Sequence, residues 1–440
     1  MNNQHQPAES VKPFSFLVFF STLAVGFVFS FFFSPHFSLA QSQEGQNQKE
    51  VEKARAGIEK GIFSSKMDAI QSLTQILKSD PKNTEALRLR GIAYTQNFQL
   101  KEGQKDFENL AREDKRWISY YDLGYNLLLQ NRLDESLQVL NTAQKVGPEN
   151  FMIYSLRAEV YRTKKQTAQA EKDYAQALKI NPEAHSVYAQ RSTYFYQFDR
   201  LQSALKDIDQ ALYLNKKVGY YYYLKAFILG KMNKWQQAKE EIDKAIAVKG
   251  KYGLFYWARG ICFEALGFKD KALQEYTLAI QYGFEVQSYV ARGVLNYKQG
   301  NIELAEEDLK QAIAVQTNNP MAYLYLGKIN YINKNIPLAE SQFAQALRFN
   351  KLDPELYYSL GNFYASVEEH KKAISQYTQA IVRNASSPLY FYKRALSSYH
   401  LKQYNQSLSD VEKALSVHSS NQVFQDLKQK NKTALLNNKK

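Results

Sequence analysis

The side chains that most often carry chemistry are few and scattered in this 440-residue chain. Six histidines (His5, His36, His185, His370, His400 and His418) stand apart, without the HExxH pair or any other spacing that would set two metal ligands on one helix face. No phosphate loop, GxSxG elbow or GxGxxG turn occurs. The single cysteine, Cys262, lies between Ile261 and Phe263 with no base near it, the setting of a packed, inert thiol rather than a nucleophile. One cysteine also excludes an internal disulfide, a multi-cysteine zinc or iron–sulfur site and a bacterial lipid anchor. Neither cofactor nor metal is expected, and the chain is read as no enzyme.

The composition is that of a folded protein, 45% hydrophobic and 23% charged. With only 19 glycines and 10 prolines, a sandwich of strands joined by many tight turns is disfavoured. A net charge of +14 permits polyanion binding without demanding it. Tyrosine is in surplus at 32 residues, and that surplus must be placed.

The elements that place it come from a period of 33 or 34 residues. Gly57, Gly91, Gly124, Ala158, Ser192, Ala226, Gly260, Gly293, Gly327, Gly361 and Ala395 recur at that step. Twelve residues after each lies a second small residue in nearly every unit, as in Ala69, Ser136, Ala204, Ala272 and Ala373. Seven further on comes a third series that includes Ala143, Ala211, Ala279 and Ala380. Small residues at facing positions let two helices approach closely, and large apolar residues four positions on, such as Tyr276 after Ala272, fill the adjoining space. Prolines keep the register: Pro81, Pro148 and Pro182 fall between units, while Pro320, Pro354 and Pro388 open a first helix behind Asn319, Asp353 and Ser387, and Pro337 opens a second helix after Asn335.

The unit GLFYWARGICFEALGFKDKALQEYTLAIQYGFE, from Gly253, carries Tyr256, Gly260, Phe263, Ala272, Tyr276 and Ala279 in the large–small order of the tetratricopeptide repeat. The chain resembles that family over about residues 50–421. The resemblance implies an all-α fold, a right-handed superhelical solenoid of about eleven antiparallel helix pairs. Gly103, Leu110 and Ile76 depart from the small-residue pattern, so the N-terminal stacking is expected to be less regular.

A second signal accounts for many charges. With the recurrent small residue counted as position eight, position seven is basic in Arg90, Arg157, Arg191, Lys225, Arg259, Arg292 and Arg394. Position twenty-three of those same units is Asp106, Asp173, Asp207, Glu241, Glu275, Asp308 and Asp410. Where position seven is Ala56, Leu123, Leu326 or Leu360, position twenty-three is uncharged. An ion pair from first to second helix within each unit is expected, which makes these arginines structural.

By the resemblance, positions two, five, nine and twelve of the first helices face a concave groove. They place Tyr121, Tyr125, Tyr196, Tyr220, Tyr223, Phe227, Trp257, Tyr297, Tyr331, Tyr358 and Tyr392 there, and two readings stand: padding of a tight inner wall, or a sticky, sparsely charged trough for a protein partner. Tyr188, Tyr222, Tyr256, Tyr289, Tyr323 and Tyr357, at position four, are expected in the core. The lysine-and-asparagine clamp of relatives that grip acidic tails is missing, with Asn362 alone at position nine. An extended peptide or protein surface with apolar anchors is therefore the expected partner, in a scaffold or adaptor role. Glycan binding to cell-wall polymer is the alternative, and nucleic acid is disfavoured because much of the basic charge is paired.

Residues 13–34 carry no charge and nine phenylalanines, long enough to cross a bilayer as a helix. Ser38-Leu39-Ala40 follows in the manner of a signal-peptidase site. The domain reading is thus 1–40 a signal peptide or transmembrane anchor, 41–49 a polar linker, 50–421 the repeats, and 422–440 a capping helix and tail. The repeats are expected outside the cytoplasm, in the cell envelope, membrane-anchored or secreted.

Overall fold

The computed structural model describes residues 45–59 and 63–437. These hold twenty-three helices, from Gly45–Glu59 to Gln422–Asn437, and no strand. The segment 13–34 and the Ser38–Ala40 motif lie outside the described residues. Helix Gly45–Glu59 begins inside the stretch 41–49 that reads as a polar linker.

The chain divides into two compact units at Val248 and Lys249. Six helix pairs make the first; five pairs and the last helix make the second. In each unit a first helix packs along its own second helix, which packs in turn on the next first helix.

The pairing follows from side-chain size. A Cβ added at Gly260 would sit 2.5 Å from the Tyr276 ring, one at Gly361 2.5 Å from Tyr377, and one at Gly91 2.6 Å from Phe107. The ring of the second helix thus rests on bare backbone of the first, and Tyr276, Tyr377 and Phe107 are at most 1% exposed. Where serine replaces the small residue, its hydroxyl is used: Ser136 Oγ donates to the Gly124 carbonyl at 2.6 Å and Ser407 Oγ to that of Ala395 at 2.7 Å.

Turns within pairs share one geometry. One residue takes a left-handed conformation, and the next amide donates back five residues, as in Arg132 to Leu127 (2.9 Å) and Gln403 to Ser398 (2.9 Å). At helix starts, the Asn319 and Asp353 side chains accept from the Ala322 and Glu355 amides behind Pro320 and Pro354. Ser387 holds the same place before Pro388 without a side-chain cap bond.

All seven inferred ion pairs form. Arg90–Asp106, Arg157–Asp173, Arg191–Asp207, Arg292–Asp308 and Arg394–Asp410 close at 2.6–2.7 Å, Arg259–Glu275 at 3.0 Å and Lys225–Glu241 at 3.3 Å. Several also reach back to position twenty-five of the preceding second helix: Arg90 to Thr74 (3.1 Å), Arg157 to Asn141 (2.8 Å), Lys225 to Asp209 (3.0 Å), Arg292 to Thr277 (2.8 Å) and Arg394 to Thr378 (3.0 Å). Each of these cations therefore bolts three helices together. The position-four tyrosines, expected in the core, are only half-buried. Three of them cover bolts, with guanidinium over ring at 5.7 Å for Arg191–Tyr188, 5.2 Å for Arg259–Tyr256 and 5.8 Å for Arg292–Tyr289. Of the fully buried tyrosines, Tyr174, Tyr276 and Tyr377 sit at position twenty-four and Tyr194 at position ten.

Two substitutions test this packing. Arg394→Gln leaves Asp410 buried without its cation and costs about 3–5 kcal/mol, read as lost hydrogen-exchange protection in helices 388–400 and 404–417; the Arg394→Met/Asp410→Leu pair recovers most of it. Gly361→Ala drives a methyl into the Tyr377 ring and lowers stability by about 1–3 kcal/mol in thermal melts.

Candidate functional site: the aromatic face of the first helices

In the first unit, Tyr121 and Tyr125 project from helix Trp117–Leu129, Tyr196 from His185–Gln197, and Tyr220, Tyr223 and Phe227 from Gly219–Lys231. The last three form a file, with ring centroids 5.4 Å apart for Tyr220–Tyr223 and 4.4 Å for Tyr223–Phe227. The Lys231 ammonium lies 4.7 Å from the Tyr196 ring centroid and is paired with Asp199 at 2.9 Å. Burial, and after it Asp199, pushes the Tyr196 hydroxyl up to about 12.

In the second unit each predicted ring meets another aromatic. Trp257 lies against Phe284 (5.4 Å), Tyr297 against Tyr325 (5.3 Å), Tyr331 against Phe363 (5.6 Å), Tyr358 against Tyr390 (5.1 Å) and Tyr392 against Phe424 of the last helix (4.8 Å). Tyr121, Tyr125, Tyr196, Tyr220, Tyr223, Phe227, Trp257 and Tyr358 are each no more than 9% exposed. Tyr297, Tyr331 and Tyr392 are half-buried. Most of these rings are therefore packed supports, whereas Tyr297, Tyr331 and Tyr392 of the second unit retain some exposure.

Polar groups share the same positions. Arg88, at position five, donates from Nε to Asp122 Oδ2 at 2.6 Å. Burial raises the Asp122 carboxyl above its usual value, and Arg88 opposes that. Glu159 and Arg162, at positions nine and twelve, are buried together; Arg162 Nε donates to Glu159 at 2.9 Å and Nη1 to Gln197 at 2.7 Å. The position-twenty-four hydroxyls reach through to this face, Tyr174 to Glu159, Tyr276 to Glu264 (3.0 Å) and Tyr377 to Asn362 Oδ1 (2.9 Å). Asn362, the one residue that hinted at a clamp, is thus engaged by the core. Sequence reasoning passed over Arg88, Glu159 and Arg162 by collecting only aromatics; the same register finds them.

Among the described residues no three His, Cys, Asp or Glu side chains gather to hold a metal ion, and no helix is long and apolar enough to cross a membrane. Cys262 is 4% exposed. His185 joins two helix pairs in the first unit, Nδ1 lying 2.7 Å from the Tyr221 hydroxyl and Nε2 3.3 Å from Asn215 Nδ2. Burial lowers its pKa, and that of His370, below the ordinary histidine value.

Residues 121–185 and 290–357 match one tetratricopeptide-repeat family model, and residues 354–386 match another. No curated protein matches the sequence. Among solved structures, the chain is similar to the APC/C Cut9–Hcn1 hetero-tetramer (12% identity over 88% of this chain and 96% of that one, TM-score 0.45). It is similar also to yeast Tom70 (13%, 82% and 97%, 0.46) and to a tetratricopeptide repeat protein from Parabacteroides merdae (19%, 58% and 98%, 0.44). At these scores the likenesses carry nothing about function.

Because the neutral imidazoles are favoured in the fold, their share of stability is complete above about pH 6.5 and lost as pH falls through their depressed values. Thermal midpoints should hold from pH 8 to 7 and fall toward pH 5.5, with a shallower fall in His185→Asn. A midpoint that rises on acidification contradicts this.

Proposed function

The chain carries tandem tetratricopeptide repeats, and on that premise we propose that it is a non-enzymatic scaffold that binds an extended peptide or protein surface along the aromatic face of its first helices. The observation that carries the reading is the half-buried rings on the first helices of the second unit. Tyr331 and Tyr392 are half-buried, each packed against another ring, Phe363 and Phe424. Such rings are preorganised, so a partner that covers them orders little, and tyrosine adds a hydroxyl to a large apolar area. The partner would carry apolar anchors, because Glu159 and Arg162 already satisfy each other and Asn362 is held by Tyr377. Pairing of the position-seven cations with carboxylates speaks against a polyanion ligand on that face.

The uncharged stretch 13–34 supports an exported chain, with the repeats held at a membrane or released after cleavage. N-terminal sequencing of protein from its native source separates these, since a start at Gln41 removes the anchor.

Peptides selected from a random display library against the full chain test the binding face. Tyr331→Ala and Tyr392→Ala should each weaken them about tenfold or more, near 1.4 kcal/mol, with little change in melting. Peptides indifferent to both, but lost on Tyr213→Ala or Leu352→Ala at the exposed positions, would place recognition elsewhere and sink the reading.

A further inference from the structure

Among the described residues, ten turns join a first helix to its second helix through one residue in the left-handed region. At nine that residue is glycine, Asn, Asp, Glu or Lys, as in Asn131, Lys165 and Gly267. The tenth is Phe98, at φ 59° and 80% exposed. A bulky side chain is strained in this conformation, and a bare ring in water adds nothing to the fold. Met67 stands beside this turn, 40% exposed, with Asn97 Nδ2 3.5 Å from its Sδ. Phe98 of the turn and Met67 of the neighbouring helix Phe63–Ser79 are thus exposed side by side in the first unit; of the other turns, the one at Gly267 also exposes a ring, Phe268 at 52%, but there the left-handed residue itself is bare.

We propose that the Phe98–Met67 tip rests in the headgroup region of a lipid bilayer, kept there by the apolar segment 13–34. This rests on the anchored form of the reading above. The reach is sufficient. Residues 35–44 span up to ~35 Å when extended, and helix Gly45–Glu59 is ~22 Å long. Phe98 belongs to the second helix pair from that end, so it is among the first turns a membrane surface would meet. Aromatic rings suit the bilayer interface, and one ring too weak to hold the protein alone is effective once a tether raises its local concentration. The contact would orient the repeats against the membrane rather than anchor them.

The full-length chain, with Cys262→Ala and an environment-sensitive fluorophore on Phe98→Cys, is reconstituted in phosphatidylcholine–phosphatidylglycerol vesicles. The expected result is flotation with the vesicles, a blue-shifted probe quenched by shallow spin-labelled lipid, and a water-exposed probe at Lys165→Cys. Flotation with the probe at 98 as accessible to aqueous iodide as that at 165 overturns this inference and leaves the anchor standing. Failure to float overturns both. Unlabelled Phe98→Asn, which suits the turn, should melt no lower than the parent yet lose vesicle-dependent protection of residues 97–101 from hydrogen exchange; unchanged protection also overturns the contact.

Discussion

Everything in this protein depends on how closely two helices can lie. Glycine or alanine at one position of the first helix lets a ring from the second helix rest on backbone, as Tyr276 does on Gly260 and Tyr377 on Gly361. That contact sets the spacing of each pair. The spacing then fixes where position seven meets position twenty-three, and hence where every arginine finds its carboxylate. Dense packing of this kind leaves little room for adjustment, so the size constraint is repeated along the chain rather than met once.

The charge ladder is secondary to that spacing, yet it does what apolar packing does less well, which is to fix register. A ring can slide on a flat helix face, whereas a guanidinium that gives both edges to one carboxylate has a single good position. Arg292 grips Asp308 twice, at 2.9 and 2.7 Å, and adds Thr277 of the previous pair. In a repeat array each unit contacts only its neighbours, so such a bolt holds a seam that no distant part of the fold can support. Tyr188, Tyr256 and Tyr289, half-buried at position four, lie over these bolts and reduce their contact with water.

The period of 33 or 34 residues, the pairing of helices, the ion pairs and the placing of proline were all legible in the sequence, because each depends on residue size or charge at a fixed register. The tyrosines were read less well. Position four looked like core because it is aromatic in most units, but its ring is only half-buried, and at Tyr188, Tyr256 and Tyr289 it lies over the position-seven arginine of the same helix. The hold that Tyr377, from the second helix, takes on Asn362 was also not visible. Such contacts are made across a pair, which periodicity in one strand of sequence does not reveal. The back-reach to Thr74, Asn141 and Thr277 was hidden for the same reason, although position twenty-five carries small polar residues in the units concerned. Arg88, Glu159 and Arg162 were readable in the same register that placed the aromatics.

The central claim is that a partner contacts the rings of the first helices and not the outer surface. Fluorine NMR of the protein carrying fluorotyrosine, with and without a saturating library-selected peptide, reads this directly. The account predicts that Tyr297, Tyr331 and Tyr392 shift while the buried Tyr174 and Tyr276 and the exposed Tyr213 stay in place. A shift confined to Tyr213, with the first-helix resonances unmoved, would contradict it.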